Sequence, residues 1–225
     1  MIRIAIIDDH TLIRKSLILL LNEIKGLKVV FDSDDGDAFL SYLMRHNVDL
    51  VLLDLQMPKM DGFTLCQLIR KQFPDLKILA VSQLMTEEVV YRVIKSGANG
   101  YLSKVSDPDQ FKQAIENVMK LDYFFTLPLS DVLIKSVVIR QIHQSTLPKI
   151  TADIISPRER EILILTAQGY TTEEISKHMC LSIRTIDSHK RNVIAKMGCY
   201  NIIGVIVKCL TEYVIHLDEL KSSKN

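Results

Sequence analysis

The chain has little that would place it in a membrane or an oxidising compartment. No apolar run approaches the about 20 residues needed to span a bilayer, and the seven residues before Asp8 are too short for a secretory leader. Its cysteines are Cys66, Cys180, Cys199 and Cys209, with no CxxC spacing. That argues against a zinc site or a disulfide framework and for reduced thiols in a cytoplasm, used as small apolar residues. His143, His178 and His216 also lack metal-ligand spacing. Charge of either sign is not in excess: the net value is +1, which by itself marks neither a nucleic-acid binder nor an acid-rich protein. What remains is 225 residues, 48% of them hydrophobic, enough for one or two domains with a core.

What is present is a set of apolar runs that end in chemistry. Ile2-Arg3-Ile4-Ala5-Ile6-Ile7 ends in Asp8-Asp9. Leu50-Val51-Leu52-Leu53 ends in Asp54 and opens Leu55-Gln56-Met57-Pro58-Lys59-Met60-Asp61-Gly62. Lys77-Ile78-Leu79-Ala80-Val81 ends in Ser82, and Gly100-Tyr101-Leu102-Ser103 ends in Lys104. If these strands lie parallel in one sheet, three carboxylates, a hydroxyl and an ammonium meet at one edge. Such a set can hold a divalent cation and a phosphoryl group on Asp54. A lone Asp at a strand end is usually a turn former; the company Asp54 keeps is what points to function.

Each run, together with Lys28–Ser33, precedes an apolar stripe at helical spacing, beginning with Leu12, Leu17, Leu20, Leu21 and Ile24. Five such units predict an α/β fold, a doubly wound five-stranded parallel sheet, over residues 1–121. Ligands then sit at the carboxyl ends of the strands, where strand order reverses. Gly97 and Gly100 serve the turn before the fifth strand, and Asp61-Gly62 a helix start. Residues 122–150 break the alternation. They carry Tyr123-Phe124-Phe125, Pro128, Pro148 and an apolar stretch between the prolines. This predicts a partly helical linker that packs on a domain or a partner.

From 151 to 225 the pattern is all helical, a second and smaller domain of four helices. Ser156-Pro157-Arg158-Glu159 and Thr171-Thr172-Glu173-Glu174 are capping boxes. A short helix to Met179, a tight turn and a longer helix Ile183–Met197 form a helix-turn-helix pattern. A last apolar helix is predicted from Asn201 to Leu217.

Both halves resemble one family. Asp8-Asp9-His10, Asp54, Met57-Pro58-Lys59-Met60-Asp61-Gly62, Ser82 and Gly100-Tyr101-Leu102-Ser103-Lys104 resemble a bacterial response-regulator receiver. Residues 156–210 resemble a LuxR-type DNA-binding domain, and the combination resembles the NarL/FixJ class. The resemblance implies that Asp54 is the nucleophile that accepts a phosphoryl group from a histidine kinase. It implies Mg²⁺ held by Asp9 and Asp54, by Asp8 through water, and by the backbone carbonyl of Gln56. Lys104 pairs with the phosphoryl group as a point charge. Ser82 moves to bond it, and Tyr101 turns inward behind. His10 fits the family's usual sequence and is assigned no chemistry.

In the helix Ile183–Met197, Arg184, Asp187, Ser188, Arg191 and Ala195 share a face that Lys190 borders. By the resemblance, Asp187, Ser188 and Arg191 fall at base-reading positions, while Lys177 and Lys190 contact the DNA backbone. Members of the family often carry a basic residue where Asp187 stands, so a familiar binding sequence is not implied. Ile202, Ile203, Val205, Ile206 and Val207 are more apolar than one core face requires. They meet either a second protomer on DNA or a wider buried stripe under the linker. Two other classes compete. An aspartyl-phosphate hydrolase of the haloacid-dehalogenase type needs a second Asp where Gln56 stands. A receiver kept only for dimerisation usually loses the acid pair or the Lys, and both are here. The reading is a cytoplasmic, non-membrane transcriptional regulator rather than a turnover enzyme. Its expected partners are a sensor histidine kinase, double-stranded promoter DNA and, when active, a second copy of itself.

Overall fold

The computed structural model describes residues 1–83, 86–125, 154–212 and 214–220. The linker helix expected between Pro128 and Pro148 lies outside the described residues, as does the Lys-Ser-rich tail. The N-terminal half contains β1 (Ile2–Ile7), α1 (Thr11–Glu23), β2 (Leu27–Ser33), α2 (Gly36–Leu43), β3 (Leu50–Asp54), α3 (Gly62–Gln72), β4 (Lys77–Ser82), α4 (Glu87–Ser96), β5 (Gly100–Ser103) and α5 (Pro108–Leu121). The five expected strands form a parallel sheet. It is extended at one edge by a two-residue strand, β6 (Phe124–Phe125), in the order β2-β1-β3-β4-β5-β6. The aromatic run assigned to the linker is thus partly a sheet edge.

Strand order reverses about β1, which lies between β2 and β3, and the crevice this opens is where an α/β sheet binds ligands. The register brings the chemistry together there. Ile7 pairs with Leu53, so Asp8 and Asp54 leave the sheet side by side. Asp54 pairs with Val81 and Ser82 with Ser103, so Ser82 and Lys104 follow at the same edge. All of β3 is buried, as a central parallel strand covered on both faces must be. One apolar layer is built from Phe39, Leu65, Ile69, Val93 and Tyr101, and the other from Leu17, Leu21, Phe111, Ile115 and Val118. Leu12, expected on the inner stripe of α1, is 79% exposed, because Leu17 and Leu21 define the buried face.

The C-terminal half contains α6 (Pro157–Ala167), α7 (Thr172–Met179), α8 (Ile183–Met197), α9 (Ile202–Thr211) and a one-turn α10 (Leu217–Leu220). Both predicted capping boxes are formed, with Ser156 and Glu159 on α6 and Thr171 and Glu174 on α7. The turn between α7 and α8 puts Cys180 in the left-handed region at φ 54°. The last helix is shorter than its apolar sequence predicts: it stops at Thr211 and resumes only at Leu217. Among the described residues no single helix is long and apolar enough to cross a membrane.

Gly62 begins α3, whose N-cap is Asp61, against the loop that carries Asp54. A Cβ there would stand 2.1 Å from the Asp54 carbonyl oxygen and 2.7 Å from the Leu55 Cα. These are backbone atoms, which cannot yield as a flexible side chain would. Gly62→Ala should therefore lower unfolding stability by about 3 kcal/mol, the upper end for overpacking. Chemical denaturation measures this, and a loss under about 1 kcal/mol would show that the loop is free to move.

Candidate functional site

The acidic edge is a compact, mostly buried cluster. Asp8 and Asp54 are each 2% exposed. The Gln56 amide donates to Asp54 Oδ1 at 3.1 Å, and the His10 amide donates to Asp8 Oδ1 at 2.8 Å. Lys104 Nζ lies 2.7 Å from Asp54 Oδ2 and 2.8 Å from Asp8 Oδ2, clamping the two carboxylates. Burial pushes the Asp54 carboxyl above its ordinary pKa, against the opposing pull of Lys104 and the Gln56 amide. Asp9 Oδ1 is buried and accepts no aligned hydrogen bond, although His10 Nδ1 stands only 2.7 Å away. An orphaned carboxylate oxygen beside two more carboxylates is the donor set a hard divalent cation takes. Asp8, Asp9 and Asp54 therefore fit Mg²⁺ on their own chemistry.

Ser82 is buried, and its carbonyl accepts from the Lys104 amide at 2.9 Å and from the Tyr101 hydroxyl at 3.3 Å. Tyr101 is 1% exposed. The ring lies inward, in one core layer with Val93 and Ala98.

On α8, Arg184, Ser188 and Arg191 are exposed and Asp187 is half-buried. Lys190 departs from expectation. Rather than bordering an open face it is 5% exposed, and its ammonium donates to Thr172 Oγ1 at 2.9 Å and lies 3.7 Å from Asp122 Oδ2. Asp122 is the residue that ends α5, so the N-terminal domain covers part of the helix proposed to read DNA. Burial pushes the Asp122 carboxyl up, but Lys77 and Lys190 outweigh it and hold it below its ordinary value. Burial lowers the Lys190 ammonium, with Asp122 opposing. Asp187, Lys190 and Arg191 line a polar cavity of about 270 Å³ between the two halves, with Arg70, Lys77 and Asp122 opposite.

The same interface covers α9. Ile202, Ile203, Val205, Ile206 and Val207 are all buried, in one cluster with Val90 and Ile94 of α4. The surplus apolar surface of this helix thus lies partly against the N-terminal domain of its own chain. Asn201 latches the contact. Its Oδ1 caps α9 at Gly204 N, 2.9 Å, while its Nδ2 donates to the carbonyls of Gly97 at 3.0 Å and Ala98 at 2.8 Å. Arg70 braces the same turn from inside through Gly97 O and Asn99 Oδ1. Gly97 has φ +95°, and a Cβ there would stand 2.7 Å from the Tyr200 Cβ. Tyr123 adds a hydroxyl bond to Thr166 O at 3.3 Å. Of the polar and turn residues in this contact, the sequence marked Asn201 as a helix start, Gly97 as a turn before the fifth strand and Tyr123 as linker. Asp122 carried one usable signal, its place where the strand–helix alternation stops.

Known proteins agree with this architecture. Residues 4–116 match the response regulator receiver domain, and residues 153–209 match the bacterial regulatory proteins of the luxR family. The oxygen regulatory protein NreC of Staphylococcus epidermidis is 31% identical over 202 residues, spanning 87% of this chain and 91% of that protein. A crystal structure of the Salmonella typhimurium response regulator RcsB superposes with a TM-score of 0.54 at 25% identity, covering 91% of this chain and 96% of that one. A structure of two RcsB dimers bound to two parallel DNAs gives a TM-score of 0.53 at 26% identity, covering 93% and 98%. The family is one of transcriptional regulators rather than turnover enzymes. The chain belongs to the two-component response regulators of the NarL/FixJ class, a receiver joined to a LuxR-type DNA-binding domain.

Proposed function

We propose that phosphorylation of Asp54 switches this chain from a closed form, in which the receiver covers α8 and α9, to one that binds promoter DNA. The observation that carries the reading is the position of Lys190, a recognition-helix cation buried against Asp122, which caps the last helix of the receiver. We assign residues 1–121 to the receiver, 122–150 to the linker and 151–225 to the DNA-binding domain.

The phosphoryl transfer follows from the acidic edge. A carboxylate oxygen of Asp54 attacks the phosphorus of a phosphohistidine on a sensor kinase. The P–O bond forms as the P–N bond breaks, and the imidazole leaves. Asp9, Asp54 and the Gln56 carbonyl would hold Mg²⁺ directly, and Asp8 would hold it through water. When bound, Mg²⁺ supplies the positive charge that three carboxylates and an incoming phosphate require. Lys104 then exchanges its present contacts with Asp54 and Asp8 for a phosphoryl oxygen. Its neighbour Ser82 offers a hydroxyl at the same edge. Because the Ser82 carbonyl already holds both the Lys104 amide and the Tyr101 hydroxyl, a shift there reaches the α4–β5 turn on which Asn201 docks. The phosphoryl group needs only to favour one pre-existing arrangement over another.

Opening would free Lys190 for a DNA phosphate. Arg184, Asp187, Ser188 and Arg191 would then face the major groove, and α9 would be available to a second protomer. Two half-sites about one helical turn apart suit such a dimer. The location is cytoplasmic, with no membrane partner.

Asp54→Asn should abolish Mg²⁺-dependent labelling by a small acyl-phosphate donor, because an amide is neither the nucleophile nor an anionic ligand. Undiminished labelling of the variant would remove Asp54 from the site. A second test addresses the closed form. Asp122→Asn keeps a residue that tolerates the left-handed backbone at φ 71°, yet deletes the charge facing Lys190. Unphosphorylated Asp122→Asn should bind DNA about fivefold or more tightly than the unaltered chain, the low end of ordinary coupling between sites. Unchanged affinity in a binding titration would mean that this contact does not restrain α8.

A further inference from the structure

His10 sits inside the acidic edge rather than beside it. Its Nδ1 lies 2.7 Å from Asp9 Oδ1, 3.3 Å from Asp8 Oδ1 and 3.8 Å from Asp54 Oδ2. One donor atom from each of Asp8, Asp9, His10 and Asp54 falls within 4.8 Å of every other. Asp9 Oδ1 accepts no aligned hydrogen bond despite the nearness of the ring nitrogen. One imidazole nitrogen and three carboxylate oxygens thus converge on one point, and donor atoms that converge in this way are what a cation collects.

The ring is carried by the residue just before α1, and its backbone amide is tied to Asp8 Oδ1 at 2.8 Å. That bond fixes the ring's starting point on the same carboxylate the site uses. The ring is about half exposed at 51%, and Nδ1 faces the acids. The Lys104 ammonium, 3.5 Å from Nδ1, occupies the neighbouring position and is the group an incoming ion would displace.

We propose that His10 is a ligand of the receiver's cation site, through Nδ1, and that it makes the site take borderline transition-metal ions such as Co²⁺ or Zn²⁺ more tightly than Mg²⁺. The chemistry is that of donor type. Carboxylates alone suit hard ions such as Mg²⁺, whereas imidazole adds affinity for zinc, cobalt, nickel and copper. Ligand distances near 2.0–2.2 Å for nitrogen and carboxylate oxygen are compatible with donor atoms this close together. The inference rests on reading Asp8, Asp9 and Asp54 as the cation site, and the experiment separates the two.

The full chain is titrated with Co²⁺, followed by visible absorption and by proton NMR for a far-shifted imidazole N–H. The titration is repeated with Mg²⁺ as competitor and with His10→Gln. Loss of an outer-shell partner alone costs about 10–100-fold in metal affinity, so loss of a direct ligand should cost at least about tenfold. The inference expects that loss for Co²⁺ in His10→Gln, disappearance of the shifted N–H signal, and a smaller loss for Mg²⁺ than for Co²⁺. Equal Co²⁺ affinity in both proteins, with Mg²⁺ still competing, would overturn the role of His10 and leave the carboxylate site standing. Co²⁺ binding that a saturating excess of Mg²⁺ leaves wholly unchanged would overturn the carboxylate site as well.

Discussion

The receiver depends on holding like charges together. Parallel register delivers Asp8 and Asp54 side by side, with Asp9 next in the chain, to an edge where two of the three are almost fully buried. Buried carboxylates this close repel one another and lose hydration, so the fold must answer them with a cation. Lys104 does so, reaching Asp8 and Asp54 from the end of β5. The same residue joins the edge to the rest of the domain, because its amide bonds the Ser82 carbonyl that also takes the Tyr101 hydroxyl. Any ligand that competes for Lys104 acts on a group already wired into the sheet.

What lies at the other end of those contacts is the second domain. Tyr101 packs with Val93 and Ala98, and the Ala98 carbonyl is bonded by Asn201 at the start of α9. Around that latch the apolar side of α9 meets Val90 and Ile94, and Lys190 of α8 meets Asp122. The groups with most to offer DNA or a second protomer are thus partly engaged within the chain. A domain interface this mixed, with a polar cavity on one side and an apolar cluster on the other, is of the kind that moves. A modest preference of the phosphorylated edge for another arrangement is enough to shift its population.

The strands and the helix caps were legible in the sequence because their signals are local. Short apolar runs ending in Asp, Ser or Lys mark strand ends, and Ser156 with Glu159 or Thr171 with Glu174 mark helix starts three residues apart. The meeting of Asp8, Asp54, Ser82 and Lys104 at one edge followed, since parallel strands bring strand ends together by construction. The closed arrangement was not legible. Lys190 reads as a surface cation on helical spacing, and it is engaged by Thr172 of α7 and by a carboxylate 68 residues earlier in the chain, 190 minus 122. Asn201 reads as a cap, yet its amide bonds a carbonyl 103 residues away. His10 drew no assignment because one histidine after an acid pair has no spacing to interpret; its ring position does.

The central claim is that phosphorylation separates the receiver from α8 and α9. Distances between spin labels address it directly, with one label on exposed Cys180 and one on a cysteine introduced by Lys112→Cys on the exposed side of α5. Half-buried Cys199 is replaced by Ser in this background, while Cys66 and Cys209 are buried. The account predicts a single short distance in the unphosphorylated chain and a longer, broader distribution after reaction with an acyl-phosphate donor and Mg²⁺. An unchanged distribution in fully phosphorylated protein would contradict it.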